Sequence, residues 1–226
     1  MNILSQGRTG AARFLASALL LAGAGSALAE VHYVDLNSAN ATPPYTNWAT
    51  AATNIQDAVD AAVAGDEIVV TNGVYASGGG NGNRVEVAKA VSLHSIDGPQ
   101  VTVISGTNSS GRPENRCVYL ANSARLSGFA LSGGVGGDVN SGASCLNCES
   151  VTAVASNCII SACSGGAASG GTLNHCTLSG NSASDNDVTD SGGTVDRLVN
   201  NCLYFANFHE VFSRLFSKRF YRARLR

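Results

Sequence analysis

The sequence predicts an all-β chain that winds into a parallel β-solenoid, and three observations lead to this prediction. Glycine contributes 26 of the 226 residues, whereas charged residues make up only 13%. Runs of three to five apolar or β-branched residues are bounded by Gly, Asn and Ser, a pattern typical of short strands joined by turns. A turn-strand-turn unit returns several times in the second half of the chain, as it does in proteins built from stacked coils.

The composition excludes several classes of protein. Disordered chains and coiled coils need more charge or more proline than this chain contains. Each glycine inside a helix costs about 1 kcal/mol, so helical bundles, kinases and nucleotide-binding α/β folds are not expected. Residues 30–209 carry six Lys/Arg against 15 Asp/Glu, a net charge of −9, which argues against nucleic acid as a partner.

Residues 1–29 are predicted to be a secretory signal peptide. Arg8 and Arg13 precede an apolar stretch at 14–21, and Ala27-Leu28-Ala29 forms a small-x-small cleavage site, so the mature chain is expected to start at Glu30. The apolar segment is shorter than the ~20 residues of a membrane span, and no later segment is long enough to cross a bilayer. We therefore expect a secreted or cell-surface protein.

Export would place the seven cysteines in an oxidising compartment, where disulfides form. An odd number leaves at least one thiol unpaired within the chain. Two interpretations remain open at this stage. The first is burial or disulfide pairing, and the second is a tetrahedral zinc site, for which the four thiols are those of Cys145, Cys148, Cys158 and Cys163.

Residues 30–66 are predicted to form a strand at His32–Asp35 and a capping helix. An amphipathic helix is expected over 53–63, with Thr53 and Gln56 as a capping box and Gly65 as the residue that ends it. Four apolar residues share one face of this helix: Ile55, Val59, Ala62 and Val63.

Residues 67–207 are predicted to form the coils. The first strands are expected at Ile68–Val70, Val74–Tyr75, Val85–Val87, Val91–Leu93 and Val101–Ile104. The repeated units then read SGFALSG, SNCIISA, NHCTLSG and NNCLYFA, and they place Phe129, Cys158, Cys176 and Cys202 at the same position. We expect the three cysteines to stack inside the solenoid, and the Asn residues before them to form corners.

These runs resemble right-handed parallel β-helix proteins of the pectin-lyase-like superfamily. The resemblance rests on NIQDAVDAAVAGDEIVVTNGVYA, VSLHSIDGPQVTVISG and the Asn-Cys repeats, and covers roughly residues 31–207. It is similar in particular to large bacterial exported proteins of the polymorphic outer-membrane-like type. The resemblance implies that the helix at 53–63 caps the core. It implies little about function, because this fold carries lyases, hydrolases, adhesins and surface repeats.

The sequence identifies no catalytic, cofactor-binding or metal-ligating residue. Asp185, Asp187 and Asp190 cluster in a polar stretch that is interpreted as a loop, with Ca²⁺ as the alternative. Residues 133–138 match only the start of a calcium-binding nonapeptide repeat. His175 is expected at a corner rather than in a catalytic role. If the chain were a lyase, the base would be sought among four arginines: Arg112, Arg116, Arg125 and Arg197. Of these, Arg125 is placed best, next to a predicted strand.

Residues 208–226 form a basic aromatic tail, with Phe208, Phe212, Phe216 and Phe220 spaced every four residues among Lys and Arg. A basic amphipathic helix and an anomalous C-terminus both remain open. For the whole chain we expect an exported, non-catalytic repeat module for adhesion or surface structure, with polysaccharide or cell-surface components as partners. The alternative is a polysaccharide lyase or hydrolase.

Overall fold

A computed structural model describes residues 28–107, 116–136, 143–182, 194–195 and 198–207. Within these residues the chain forms three sheets in which every strand pairs with its neighbours in parallel. Helix is limited there to one seven-residue α-helix, α1 (Ile55–Ala61), and one 3-10 turn at Trp48–Thr50. The prediction of a mainly parallel β-structure is therefore confirmed.

The strands are numbered along the chain and distributed over three sheets. Sheet A contains β1 (Val31–Val34), β2 (Glu67–Val70), β5 (Ser92–Ser95), β8 (Arg125–Ser127), β11 (Val154–Ser156), β14 (Thr172–Asn174) and β17 (Leu198–Asn200). Sheet B contains β3 (Gly73–Tyr75), β6 (Thr102–Ser105), β9 (Ala130–Ser132), β12 (Ile159–Ser161), β15 (Thr177–Ser179) and β18 (Leu203–Phe205). Sheet C contains β4 (Asn83–Val87), β7 (Arg116–Leu120), β10 (Leu146–Cys148), β13 (Ala168–Ser169) and β16 (Thr194–Val195).

From β2 onward the chain visits the sheets in a fixed order, A, then B, then C, and then returns to A. Each cycle places a strand beside its equivalent from the previous cycle, so that Val154 pairs with Thr172 and Ile159 with Thr177. We call one such cycle a coil. This arrangement is compatible with a β-helix solenoid.

The core lies between the three sheets because alternate side chains of each strand point inward. In sheet B, the central residues of four successive strands form an inward row and are fully buried: Ile104, Leu131, Ile160 and Leu178. Their neighbours in the same strands point outward, as Ile159 and Ser161 do beside Ile160. No single coil can bury such a row alone, so stacking of the coils creates the core.

Two-residue corners join sheet A to sheet B in the repeated units, and the first residue of each is left-handed. Asn157, His175 and Asn201 all adopt the left-handed conformation there, with φ of 56°, 53° and 52°. Asn tolerates this conformation better than most residues, because its short polar side chain can bond locally. The expected corner position of His175 is thus confirmed.

The residue that follows each of these three left-handed corner residues is a cysteine, and the three cysteines form the predicted stack in the interior. Cys158, Cys176 and Cys202 are buried in register behind Phe129, and the backbone N–H of Cys176 donates to Cys202 Sγ at 3.2 Å. Cys145 and Cys163 instead form a disulfide, with a Cα–Cα distance of 5.8 Å. This bond removes two of the four thiols that the zinc alternative requires.

Helix α1 begins one residue later than predicted. Asn54, not Thr53, is its N-cap: the Asn54 side chain accepts from the backbone N–H of Asp57 at 2.9 Å and donates to the Asp57 carboxylate at 2.7 Å. Gln56 therefore does not reach back to Thr53, but accepts from the N–H of Glu86 at 2.8 Å. The predicted capping box was wrong because two adjacent residues, Thr53 and Asn54, can both cap a helix.

The end of α1 also differs from the prediction. The helix ends at Ala61 with Ala62 as C-cap, so Gly65 lies three residues beyond the cap, although its φ of 101° suits only glycine well. Val63 is 57% exposed and does not belong to the buried face. Lys89 completes the helix end instead, since its Nζ donates to the carbonyls of Val59, Asp60 and Ala62 at 2.7–3.1 Å.

Ile55, Ala58 and Val59 of α1 are buried against β1 and β4, which are the first strands of sheets A and C. Among the described residues, no helix is long and apolar enough to cross a membrane. The predicted signal peptide, apart from Leu28 and Ala29, lies outside the described residues, as does the tail at 208–226.

Candidate functional site

The outer faces of the sheets are the places to look for functional side chains, because the inward side chains form a closed apolar core. Two kinds of outer surface occur among the described residues. The first is a set of regular polar rows, and the second is a mixed charged and aromatic cluster near the first strands of sheet A.

The polar rows repeat small polar side chains from coil to coil. A row on sheet B consists of serines at in-register positions, of which the first is buried and the other three are partly exposed: Ser105, Ser132, Ser161 and Ser179. A second row on sheet A changes from serine to asparagine: Ser127, Ser156, Asn174 and Asn200. Asn200 Nδ2 donates to Asn174 Oδ1 at 2.8 Å, so these two asparagines form a side-chain ladder.

Asn181 and Asn207 form a further asparagine ladder, which the sequence analysis missed. The Asn181 side chain accepts from Cys163 N at 3.1 Å and donates to Ile160 O at 3.0 Å. Asn207 repeats this pattern one coil later, because it accepts from Asn181 N and donates to Leu178 O, both at 3.0 Å. The sequence does contain a sign of this ladder: the two asparagines are as far apart along the chain as Cys176 and Cys202, which occupy equivalent positions in successive coils.

The charged cluster lies on the outer face of β2, β5 and β8. His94 Nδ1 lies 3.2 Å from Glu67 Oε1, with both side chains partly exposed. Arg125 is exposed and pairs with Ser92, which in turn pairs with Glu67. Since neighbouring strands are about 4.8 Å apart, the backbones of Glu67 and Arg125 are about 10 Å apart.

An aromatic pair lies at the first strand of the same face. Tyr33 points outward from β1, in register with Val69 and then His94. Its ring contacts that of Trp48 edge-on, with centroids 4.5 Å apart, and Trp48 is 43% exposed. Exposed aromatic rings beside a carboxylate, an imidazole and a guanidinium can hold a polar ligand that also has an apolar face.

Sheet C carries a shorter outer row. Glu86, Tyr119, Asn147 and Ser169 occupy in-register positions, and Ser169 Oγ donates to Asn147 Oδ1 at 3.0 Å. Burial, and secondly the nearby Glu149 and Glu86 carboxylates, raise the pKa of the Tyr119 hydroxyl. This phenol therefore stays protonated at neutral pH and can donate a hydrogen bond.

One buried pair joins an imidazole of β1 to a carboxylate. His32 Nε2 lies 3.1 Å from Asp66 Oδ2, and His32 Nδ1 lies 2.7 Å from Pro44 O. Burial alone would raise the pKa of the Asp66 carboxyl, but hydrogen bonds from Val63 N, Glu30 N and His32 outweigh it and lower that pKa. Sequence reasoning missed this pair, because its members are far apart along the chain and no local pattern marks them.

The candidates from the sequence are distributed unevenly. Arg125 lies on the exposed face described above, whereas Arg116 is nearly buried at the start of β7. Several residues lie outside the described part of the chain: Arg112, Asp138, Asp185, Asp187, Asp190, Asp196 and Arg197. Within the described ranges, no group of three or more His, Cys, Asp or Glu side chains is arranged to hold a metal ion.

Cys117 is a buried thiol beside the disulfide. Burial raises the pKa of Cys117 to about 12, although its Sγ lies only 3.4 Å from Cys145 Sγ. A thiol, unlike a thiolate, is a poor nucleophile, so Cys117 does not readily attack the Cys145–Cys163 disulfide at pH 7. In the cysteine stack, by contrast, the hydrogen bond with Cys176 lowers the pKa of the Cys158 thiol.

No family model, no curated protein and no solved structure matches this chain. The pectin-lyase-like resemblance therefore rests on the sequence runs quoted above, while the three all-parallel sheets are compatible with a β-helix in general.

Proposed function

We propose that this chain is an exported, right-handed parallel β-helix module whose function is adhesion or surface structure rather than catalysis. The observation that carries the proposal is the pair of outer rows, serine on sheet B and serine followed by asparagine on sheet A. A catalytic site needs different residue types brought together at one place, whereas these rows repeat small polar side chains over four successive strands, between His94 and Asn200 on sheet A and up to Phe205 on sheet B. A repeated polar surface suits many weak contacts to a repetitive partner.

Export is the second part of this proposal and is supported by two features. The sequence at 1–29 has the charged, apolar and small-residue regions of a signal peptide. The Cys145–Cys163 disulfide is of a kind that persists mainly in oxidising compartments. The partners we propose are polysaccharides or other cell-surface components.

The test uses the exported protein coupled to beads and washed over immobilised pectate, alginate and peptidoglycan. Retention on at least one surface, without release of soluble sugar, is expected. The variant Ser161→Arg inserts a long charged side chain into the serine row and should lower retention about tenfold, because neighbouring contacts are lost together. The matched control is Val151→Arg, which introduces the same side chain at an exposed turn residue outside the rows.

Equal retention of the two variants, or no retention of the wild-type protein on any of these surfaces, would contradict the proposed role of the rows. Recovery of the protein only from the cytoplasm of an expressing bacterium would contradict export.

A polysaccharide lyase or hydrolase of the pectin-lyase-like type is a second candidate, favoured by one specific observation. Glu67, His94 and Arg125 share one outer face, and an acid, an imidazole and a guanidinium are groups that lyase chemistry uses. Ultraviolet absorbance of unsaturated product, with pectate and alginate and with or without Ca²⁺, tests it. Turnover that Arg125→Ala abolishes and Arg84→Ala retains would replace the first proposal by the second.

A further inference from the structure

The buried carboxylate of Asp66 contacts nitrogen atoms from two segments of the chain, residues 30–32 and Val63. The backbone N–H of Glu30 donates to Asp66 Oδ1 at 2.9 Å. The other oxygen, Oδ2, accepts from the N–H of Val63 at 2.7 Å and faces His32 Nε2 at 3.1 Å. Asp66 is only 4% exposed, so these donors replace the water that a carboxylate would otherwise bind.

Glu30 is also the residue at which the mature chain is expected to start. Cleavage after Ala27-Leu28-Ala29 would hydrolyse the Ala29–Glu30 peptide bond, in which water supplies the new carboxylate oxygen of Ala29 and a proton for the released amine of Glu30. Residues 28–30 are exposed, whereas the chain enters the protected strand β1 at Val31. The nitrogen that becomes the α-amine is therefore the atom that already contacts Asp66.

We propose that Asp66 is the receptor for the α-ammonium group that cleavage before Glu30 creates. Cleavage replaces a neutral N–H donor by a cationic one at the same position, and charge-assisted hydrogen bonds are roughly twice as strong as neutral ones. The maturation step thereby strengthens the attachment of β1 to the coil that follows it.

The position of this nitrogen is fixed from both sides. Glu67 N donates to Glu30 O at 2.9 Å, which holds residue 30 in register with β2. The Glu67 side chain itself pairs with His94 on the outer face and does not compete for the new amine. The ammonium group therefore meets Asp66 without the loss of freedom that a mobile chain end would suffer.

The other groups near Asp66 leave one of its oxygens to the new cation. Both ring nitrogens of His32 already have partners, Pro44 O and Asp66 Oδ2. His32 and the amine nitrogen contact different oxygens of Asp66. The carboxylate of Glu30 itself, on an exposed residue, adds a further negative charge close to the amine.

The consequence is a pH dependence with a definite sign. An α-amine ordinarily has a pKa of about 7.7–8.0, and a carboxylate partner raises it in the folded state. The ion pair then contributes its full stability below about pH 7.7, and this contribution is lost as the pH rises through the folded-state pKa. A chain that retains its leader, or whose amine is acetylated, lacks this dependence.

The experiment starts with the full chain, expressed with its leader in a secreting host and purified from outside the cells. Terminal sequencing locates the new N-terminus, and an NMR titration measures the pKa of its amine. The free-amine protein is compared with its Nα-acetylated form by urea unfolding from pH 6 to 10. Asp66→Asn is the test variant, and Glu67→Gln is the matched control, since it removes a neighbouring acid that does not contact the nitrogen.

We expect Glu30 as first residue, an amine pKa raised by about one pH unit in the wild-type protein and in Glu67→Gln, and an ordinary pKa in Asp66→Asn. The difference in stability between free and acetylated forms should disappear above pH 10. An ordinary amine pKa in the wild-type protein, equal stability of both forms at every pH, or a mature terminus at another residue would overturn the proposal. The comparison of free and acetylated forms needs no mutation, so it decides the matter even if Asp66→Asn fails to fold.

Discussion

Two consecutive isoleucines in β12 allow the stacked core to be tested by the same substitution on its two sides. Ile160 is fully buried between Leu131 and Leu178 of the neighbouring coils, whereas Ile159 points outward from the same strand and is only partly buried. Ile160→Ala should lower the free energy of unfolding far more than Ile159→Ala.

The size of the effect follows from the burial of Ile160. The change removes three carbon atoms, worth about 0.8 kcal/mol each in transfer free energy, and leaves a cavity that rigid neighbouring coils cannot fill. We expect a loss of about 3–4 kcal/mol at Ile160 and less than about 1.5 kcal/mol at Ile159. For a domain of this size, the larger loss corresponds to a fall in Tm of about 6–16 °C.

Urea unfolding of the mature protein, followed by circular dichroism at 25 °C, provides the measurement. Equal losses of unfolding free energy for the two variants would refute the assignment of inward and outward side chains in sheet B. A larger loss of unfolding free energy for Ile159→Ala would mean that Ile159 faces the core and Ile160 faces outward.

Three further predictions follow from single contacts. Lys89→Met should lower the free energy of unfolding by about 2 kcal/mol, because three carbonyls at the end of α1 lose a charged donor. The control Arg125→Met, on the exposed face, should change the free energy of unfolding by less than about 0.5 kcal/mol. Similar urea midpoints for the two variants would contradict this role of Lys89. Cys163→Ala should lower the free energy of unfolding by about 3 kcal/mol, because the disulfide to Cys145 no longer restricts the unfolded chain. A reductant should then cause no further loss of stability. If the reductant destabilised the variant as much as the wild-type protein, the disulfide would be excluded. The pKa of Asp66 is lowered in the folded protein, so this carboxylate adds stability above its unfolded-state pKa of about 3.9, and that stability is lost as the pH falls through the folded-state pKa. Asp66→Asn should therefore make the free energy of unfolding less dependent on pH in the acid range. An unchanged pH dependence would contradict the contacts of Asp66.

The strands and corners could be predicted from the sequence because their causes are local. Short β-branched runs such as Ile68–Val70 favour extended backbone between their turns, and Asn followed by Cys marks the left-handed corners at Asn157 and Asn201. The repeat of Cys158, Cys176 and Cys202 even predicted which residues of different coils lie in register. Regular stacking turns a distance along the sequence into a neighbour in space.

The rest depended on contacts with no local signature. The lysine that completes α1 lies well beyond Ala62 in the chain, and the partner of His32 is similarly remote. The disulfide could have been predicted in part. Cys145 and Cys163 are separated along the chain by the same number of residues as Cys158 and Cys176, and this spacing could have indicated that they lie one coil apart. The pair of Glu67 and His94 joins strands of successive coils and is visible only once the register of β2 and β5 is known.

The most direct test of the coil stack is a set of distances along one outward row of sheet B. Val74, Ile159, Thr177 and Leu203 lie in this row, three, four and five strands apart when counted from Val74. Spin labels at Val74 and at each of the other three positions, measured by pulsed electron paramagnetic resonance, should give backbone separations of about 14, 19 and 24 Å, a constant step of about 4.8 Å per coil. Distances that do not increase in equal steps, or that change order, would contradict the parallel stack on which the whole account depends.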